Sequence, residues 1–188
     1  MVRLMQSDIY TRPPDLPVPE DDGAAAHLTG MEIPGLTLDS SLGPVNLRDL
    51  DLIYIYPRTG RPGRDAVPGW DRIPGARGCT PESCGFRDAV SDFEELSVRV
   101  AGLSAQTLDD QKEFAQRNRI PFPVIADPDR KLGAALRLPT FEVEGQVLYK
   151  RLTLVAEQGR IVKVFHPVFP PDQHAHEVLT WLKSRPRK

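Results

Sequence analysis

The chain predicts a single α/β domain with helices available for both faces of its sheet, and three observations carry that prediction. At 188 residues it is long enough for one complete core and too short for two ordinary domains. Its periodicity alternates between strand-like and helix-like segments, in the order strand, helix, strand, helix, strand, strand, helix, which supplies helices for both sheet faces. The run Leu52-Ile53-Tyr54-Ile55-Tyr56, closed by Pro57, has the length and continuous apolarity of a strand buried on both sides.

The elements follow in order. Residues 1–29 are rich in proline and acidic side chains (Pro13, Pro14, Pro17, Pro19, Glu20, Asp21, Asp22) and read as an extended arm with little core of its own, ahead of a domain over residues 30–188. Leu36 to Leu38 and Val45 to Leu47 form a short N-terminal hairpin around Ser40–Gly43. The segment from Arg58 to Gly78 holds Gly60, Pro62, Gly63, Pro68, Gly69, Pro74 and Gly75, a density of breakers that leaves a long loop. A helix is predicted from about Thr80 to Leu96 on the spacing of Phe86, Val90, Phe93 and Leu96, then a central strand from Val98 to Leu103. Thr107 caps a helix over Leu108–Arg117, with Asp109 and Asp110 in its first turn. Pro123 to Asp127 is a short strand and Arg130 to Leu136 a short helix. A hairpin over Leu148–Ala156 and Ile161–Phe169 turns at Glu157-Gln158-Gly159, and a helix from about Asp172 to Lys183 ends the fold.

Composition narrows the function. The formal net charge is -2, so the basic excess of a nucleic-acid-binding surface is missing. No window approaches the roughly 20 apolar residues of a membrane span. Met1 to Leu16 carries Arg3, Asp8, Arg12 and two prolines where a signal peptide needs an apolar run, so the expected location is the cytoplasm. Thiols stay reduced there, and two cysteines five positions apart are better placed for redox or metal chemistry than for a permanent staple.

Those two cysteines define the candidate site. The segment Arg77-Gly78-Cys79-Thr80-Pro81-Glu82-Ser83-Cys84-Gly85-Phe86-Arg87-Asp88 opens a helix after a buried strand and a glycine-rich loop, with Thr80 or a nearby residue as its cap and Pro81 in its first turn. Free N–H groups at a helix start carry partial positive charge and favour a thiolate, the reactive form of cysteine. Arg77, Arg87 and a distant arginine would lower its pKa further, from about 8.5 toward neutrality or below. Five helical positions rise roughly 7.5 Å, beyond the ~6.8 Å limit for a disulfide's Cα atoms. Joining the pair therefore requires the first turn to unwind. Cys84 also reads as a small buried hydrophobe. A zinc site would need two further ligands from His27, His166, His174 and His176, and His174-Ala175-His176 has the wrong spacing. No phosphate-binding glycine pattern occurs, and neither metal nor organic cofactor is expected.

At these residues the chain resembles the peroxiredoxins, most closely the peroxiredoxin Q (bacterioferritin comigratory protein) subfamily, through Tyr56-Pro57 and Gly78 to Asp88. The likeness extends from about Gly30 to Lys183 and implies a thioredoxin-like fold, a central mixed β-sheet flanked by α-helices. It implies that Cys79 attacks the peroxide and that Cys84 resolves the resulting sulfenic acid as an intramolecular disulfide. A thioredoxin or similar dithiol would then reduce that disulfide. Arg151 matches the arginine that orients thiolate and peroxide; by itself it reads as an exposed strand-end charge. Intrachain resolution implies a monomer or weak dimer.

The pattern also departs from the family. Its active-site loop, Pro-x-x-x-Thr-x-x-Cys, places the proline and threonine at positions held here by Arg72 and Ala76. Pro57 lies far upstream, so residues 61–77 form an insertion containing Arg61, Arg64, Arg72, Arg77 and Trp70, and Thr59 is the threonine available to fold back. Two other functions stay open at this stage. A general thiol–disulfide oxidoreductase would normally use Cys-x-x-Cys. A redox sensor or binding module would keep the cysteines with little peroxide turnover.

Overall fold

A computed structural model describes residues 8–186. Nine strands and five α-helices alternate along these residues. Seven strands form one sheet, in the order β2 (Gly43–Asn46), β1 (Thr37–Ser40), β5 (Val124–Ala126), β4 (Val100–Ser104), β3 (Leu52–Ile55), β8 (Leu152–Glu157), β9 (Arg160–Phe165). The three central strands β3, β4 and β5 are parallel, β1 and β8 beside them run antiparallel to them, and the edge strands β2 and β9 reverse direction again, so the sheet is mixed.

Strand alternation divides the core into two layers. Ile53 and Ile55 of β3, Ala101 and Leu103 of β4, and Leu152 and Leu154 of β8 face one layer. It is closed by Leu132 and Leu136 of α4 (Lys131–Leu136) and by Tyr149. Leu52, Tyr54, Val100 and Val155 face the other. It is covered by α1 (Cys79–Asp88), α2 (Val90–Glu95), α3 (Leu108–Asn118) and α5 (His174–Ser184) through Phe86, Phe93, Phe114 and Val178. With both faces covered, every residue of β3 and β4 is buried, which accounts for the apolar run of β3 and of β4 up to Leu103. Gly102 is the exception in side-chain size: a Cβ there would lie 2.6 Å from the Tyr54 ring, so only glycine lets Tyr54 lie flat and stack on Phe86 at 4.4 Å. Truncating fully buried Phe86 to alanine would cost about 3–5 kcal/mol.

The structure corrects several sequence expectations. The predicted helix over 80–96 is two helices meeting at Ala89, where φ/ψ is -99°/8°. Backbone bonds from Ala89 N–H to Gly85 O and from Phe93 N–H to Ala89 O persist through the joint, so it is a kink, and it brings Phe93 to within 5.6 Å of Phe86. Leu148 and Tyr149 do not continue into β8. They belong to β7 (Gln146–Tyr149), which pairs with β6 (Thr140–Val143) as a separate hairpin. Its turn uses positive φ at Glu144 (48°) and Gly145 (73°), a pair without the asparagine or aspartate that normally signals such a turn. The loop after Pro57 holds a short 3-10 turn at Trp70–Arg72. Trp70 and Ala76 pack with Leu148 in a small third cluster, joined by Val67, Ile73, Phe141 and Val143, so the insertion is anchored on the β6–β7 hairpin. Residues 1–7 of the expected arm lie outside the described residues. From residue 8 to the end of the arm no helix or strand forms, yet Ala25 and Leu28 are buried in the first core layer.

Candidate active site

The end of β3 and the start of α1 meet at the sheet's carboxyl edge. Gly78 caps α1 with φ of 110°, and a Cβ there would lie 2.4 Å from Pro171 Cγ, so both backbone and space require glycine. This turn delivers Cys79 as the first residue of the helix, where its backbone N–H has no helical partner. The Cys79 side chain is buried (3% exposed) and lies on the wall of a cavity of about 160 Å³. Thr59, Gln106, Thr80, Trp70 and Ile9 line the same cavity.

Arg151, in the link between β7 and β8, is the centre of the arrangement. Its guanidinium is buried and donates from Nη2 to Cys79 Sγ at 3.2 Å and from Nη1 to Glu82 Oε1 at 3.0 Å. Further donations reach the carbonyls of Gly75 (3.3 Å), Ala76 (3.0 Å) and Arg77 (3.3 Å). One planar fork thus fixes the thiol, the first turn of α1 and the end of the inserted loop. The reading of Arg151 as an exposed strand-end charge is overturned. Glu82 had no assigned role in the sequence, although it stands one turn along α1 from Cys79 and so faces the same arginine.

The arginines adjacent in sequence do not serve the thiol. Arg77 bonds Asp71 Oδ1 at 3.0 Å and the carbonyl of Asp8 at 2.7 Å, and Arg87 bonds Asp88 and the carbonyl of Asn118, both at 2.8 Å. The distant Arg151 does. Burial works against its charge, but the negative charge that Cys79 and Glu82 carry when ionised holds its cationic form firmly. In this closed, reduced arrangement burial pushes the Cys79 thiol up; Arg151 pulls it down, Glu82 opposes that pull, and the Arg58 N–H assists it. The expectation of a thiol at or below neutrality is therefore corrected here. The net shift is upward, because a fully desolvated sulfur shares its one cation with a carboxylate. Burial also raises the Glu82 carboxyl, against Arg151 and His174, and its Oε2 has no hydrogen-bond partner among the described residues.

Cys84 is half-buried on the same helix, its Sγ 3.9 Å from Asn118 Oδ1, and both cysteines are free thiols. Uniting them requires releasing first-turn bonds such as Glu82 N–H to Gly78 O at 3.0 Å. Thr59 does return to the site despite the insertion: it is buried, lines the Cys79 cavity, and bonds to Gln106 Oε1. Arg72 lies in the 3-10 turn of the insertion, and Ala76 packs in the third cluster. No helix among the described residues is long and apolar enough to cross a membrane.

Comparison with known proteins agrees with this architecture. The model of the AhpC/TSA family matches residues 73–164, beginning inside the inserted loop. The chloroplastic peroxiredoxin Q of Sedum lineare is 26% identical over 176 residues, covering 91% of this chain and 86% of that protein. Peroxiredoxin Bcp of Bacillus subtilis is 28% identical over 168 residues, covering 85% and 97%. The crystal structure of peroxidoxin BcpB from Mycobacterium tuberculosis superposes with a TM-score of 0.68 at 24% identity, covering 85% of this chain and 98% of its own. A Xanthomonas campestris peroxiredoxin Q structure gives 0.62 at 24%, covering 91% and 97%. The fold is the thioredoxin-like fold of those structures, residues 73–164 match the AhpC/TSA family model, and the chain is similar to the peroxiredoxin Q and Bcp proteins.

Proposed function

We propose that this chain is a thiol peroxidase whose peroxidatic residue is Cys79, whose resolving residue is Cys84 and whose orienting cation is Arg151. The observation that carries the reading is the 3.2 Å approach of Arg151 Nη2 to Cys79 Sγ at a helix start that opens on a cavity. The thiolate attacks the terminal peroxide oxygen; an S–O bond forms as the O–O bond breaks, and the electron pair leaves on the departing oxygen as alkoxide or hydroxide. Solvent then protonates that oxygen. Arg151 holds the thiolate and offers charge to the oxygens. Sulfur is oxidised to the sulfenic acid. After the first turn of α1 unwinds, the Cys84 thiol condenses with it, forming the disulfide and water. A thioredoxin-like dithiol returns both cysteines to the reduced state, which suits a reducing compartment, the cytoplasm. The peroxidase unit is residues 30–188, acting as a monomer or weak dimer because both cysteines lie on one helix.

The test is intact mass after treating reduced protein with one equivalent of hydrogen peroxide. Wild type should lose two hydrogens, Cys79→Ser should not react, and Cys84→Ser should gain one oxygen. A wild type that stays reduced overturns the reading. A wild type that oxidises once but does not turn over with an external dithiol favours a redox sensor instead.

A further inference from the structure

Beside the cavity lies a hydrogen-bonded network that starts deep in the sheet. Tyr56 Oη donates to Gln111 Oε1 at 3.1 Å, and Gln111 Nε2 donates to Ser104 Oγ at 3.0 Å and to Ile125 O at 2.8 Å. Ser104 Oγ also accepts from the Gln106 N–H at 3.2 Å, so both of its lone pairs are used and its single proton goes to Gln106 Oε1, 3.1 Å away. Thr59 N–H can only donate, and it reaches the same Gln106 atom at 3.0 Å. That atom must therefore be the carboxamide oxygen. The Gln106 NH₂ group is thereby fixed as the other terminus, and Nε2 has no acceptor among the described residues, on a side chain that lines the Cys79 cavity.

The same accounting bears on Thr59. Gln106 Oε1 has two lone pairs, which the Ser104 hydroxyl and the Thr59 N–H occupy. The Thr59 hydroxyl, 3.3 Å from that oxygen, is a surplus third donor and the longest of the three contacts. Its proton is cheaply released to a ligand in the cavity.

We propose that Gln106 is a catalytic residue of peroxide reduction: its Nε2–H donates to the departing peroxide oxygen, and its saturated Oε1 turns the Thr59 hydroxyl toward the same peroxide. This rests on the peroxidase reading above. Negative charge grows on the departing oxygen as the O–O bond breaks, and a donor already held in place by a buried network stabilises that charge without reorganising. Tyr56, Gln111 and Ser104 are all fully or nearly fully buried, so the network has little freedom to turn the carboxamide over.

The experiment compares two second-order rates on the reduced protein, oxidation by hydrogen peroxide and alkylation of Cys79 by iodoacetamide, in a Cys84→Ser background. Their ratio removes any change in thiolate fraction or access. Gln106→Glu keeps every acceptor contact of Oε1 but replaces the NH₂ donors with an anionic oxygen; Gln106→Leu removes donors and acceptor without adding charge. The ratio should fall about tenfold in Gln106→Glu and further in Gln106→Leu, with the alkylation rate of Gln106→Leu within about twofold of the parent. An unchanged ratio in both variants overturns the proposal. So does a loss in alkylation that matches the loss in oxidation, since that is a packing effect. A parent protein that hydrogen peroxide does not oxidise sinks the peroxidase reading itself; a parent that reacts while the variants keep its ratio sinks only the role of Gln106.

Discussion

Removing the cation at the centre of the site should damage the fold and the chemistry by separable amounts. In Arg151→Met the Glu82 carboxyl, fully buried and bonded to Arg151 at 3.0 Å, loses its ion partner. Breaking a buried pair from one side costs about 3–5 kcal/mol, a large part of a domain's ~5–15 kcal/mol stability. Replacing both members with apolar residues removes the stranded charge, so Arg151→Met/Glu82→Leu should be more stable than the sum of the single changes by about 2–4 kcal/mol. Cys79 will not recover with the fold, because the group 3.2 Å from its sulfur is still missing. Urea unfolding of the four proteins measures the first effect, and iodoacetamide alkylation of Cys79 against pH measures the second. Glu82→Leu alone should lower the Cys79 pKa, since the carboxylate works against Arg151 there. Stabilities that add to within about 0.5 kcal/mol would refute the coupling. Wild-type alkylation in Arg151→Met would refute the claim that this arginine acts on the thiol.

Two further outcomes follow from the same geometry. Gly78→Ala imposes a φ of 110° on an L-residue and sets its Cβ 2.4 Å from Pro171 Cγ; backbone strain of about 1–3 kcal/mol and overpacking of about 1–3 kcal/mol should add, and a wild-type urea midpoint would show that the turn relaxes freely. Stability should also fall as pH rises above about 8.5, because burial raises the Cys79 and Cys84 thiols in the fold. The unfolded chain then gives up these protons first, so the contribution is complete below the unfolded pKa and lost above it. The raised Tyr54, Tyr56 and Tyr149 hydroxyls add to the slope nearer pH 10. Urea midpoints at about pH 7 and about pH 9.5 measure it; a flat or rising trend contradicts the burial argument, and Cys79→Ala should flatten part of the fall.

What could be read from the sequence was local. The apolar run of β3 is fully buried, and α3 begins at its predicted cap, with Thr107 Oγ1 accepting from Asp110 N–H at 3.2 Å. The helix after the glycine-rich loop begins where expected, with Pro81 in its first turn, although its cap is Gly78 and not Thr80. Each of these rests on a few adjacent residues whose backbone preferences and periodicity leave a direct trace. The charges around the thiol left none. Arg77 and Arg87 stand near Cys79 in sequence and turn to other partners, whereas Arg151, 72 positions away, reaches its sulfur. Glu82, Thr59 and Gln106 likewise take their places only when β3, β4 and α1 bring their ends together beneath the insertion. Periodicity and spacing determined that a cysteine stands at a helix start in an α/β domain. Burial and long-range contact decided which cation it shares, which carboxylate competes for that cation, and which donors face the cavity. The reason is physical: desolvation and Coulomb terms depend on distance through space, and only the packed chain sets that distance.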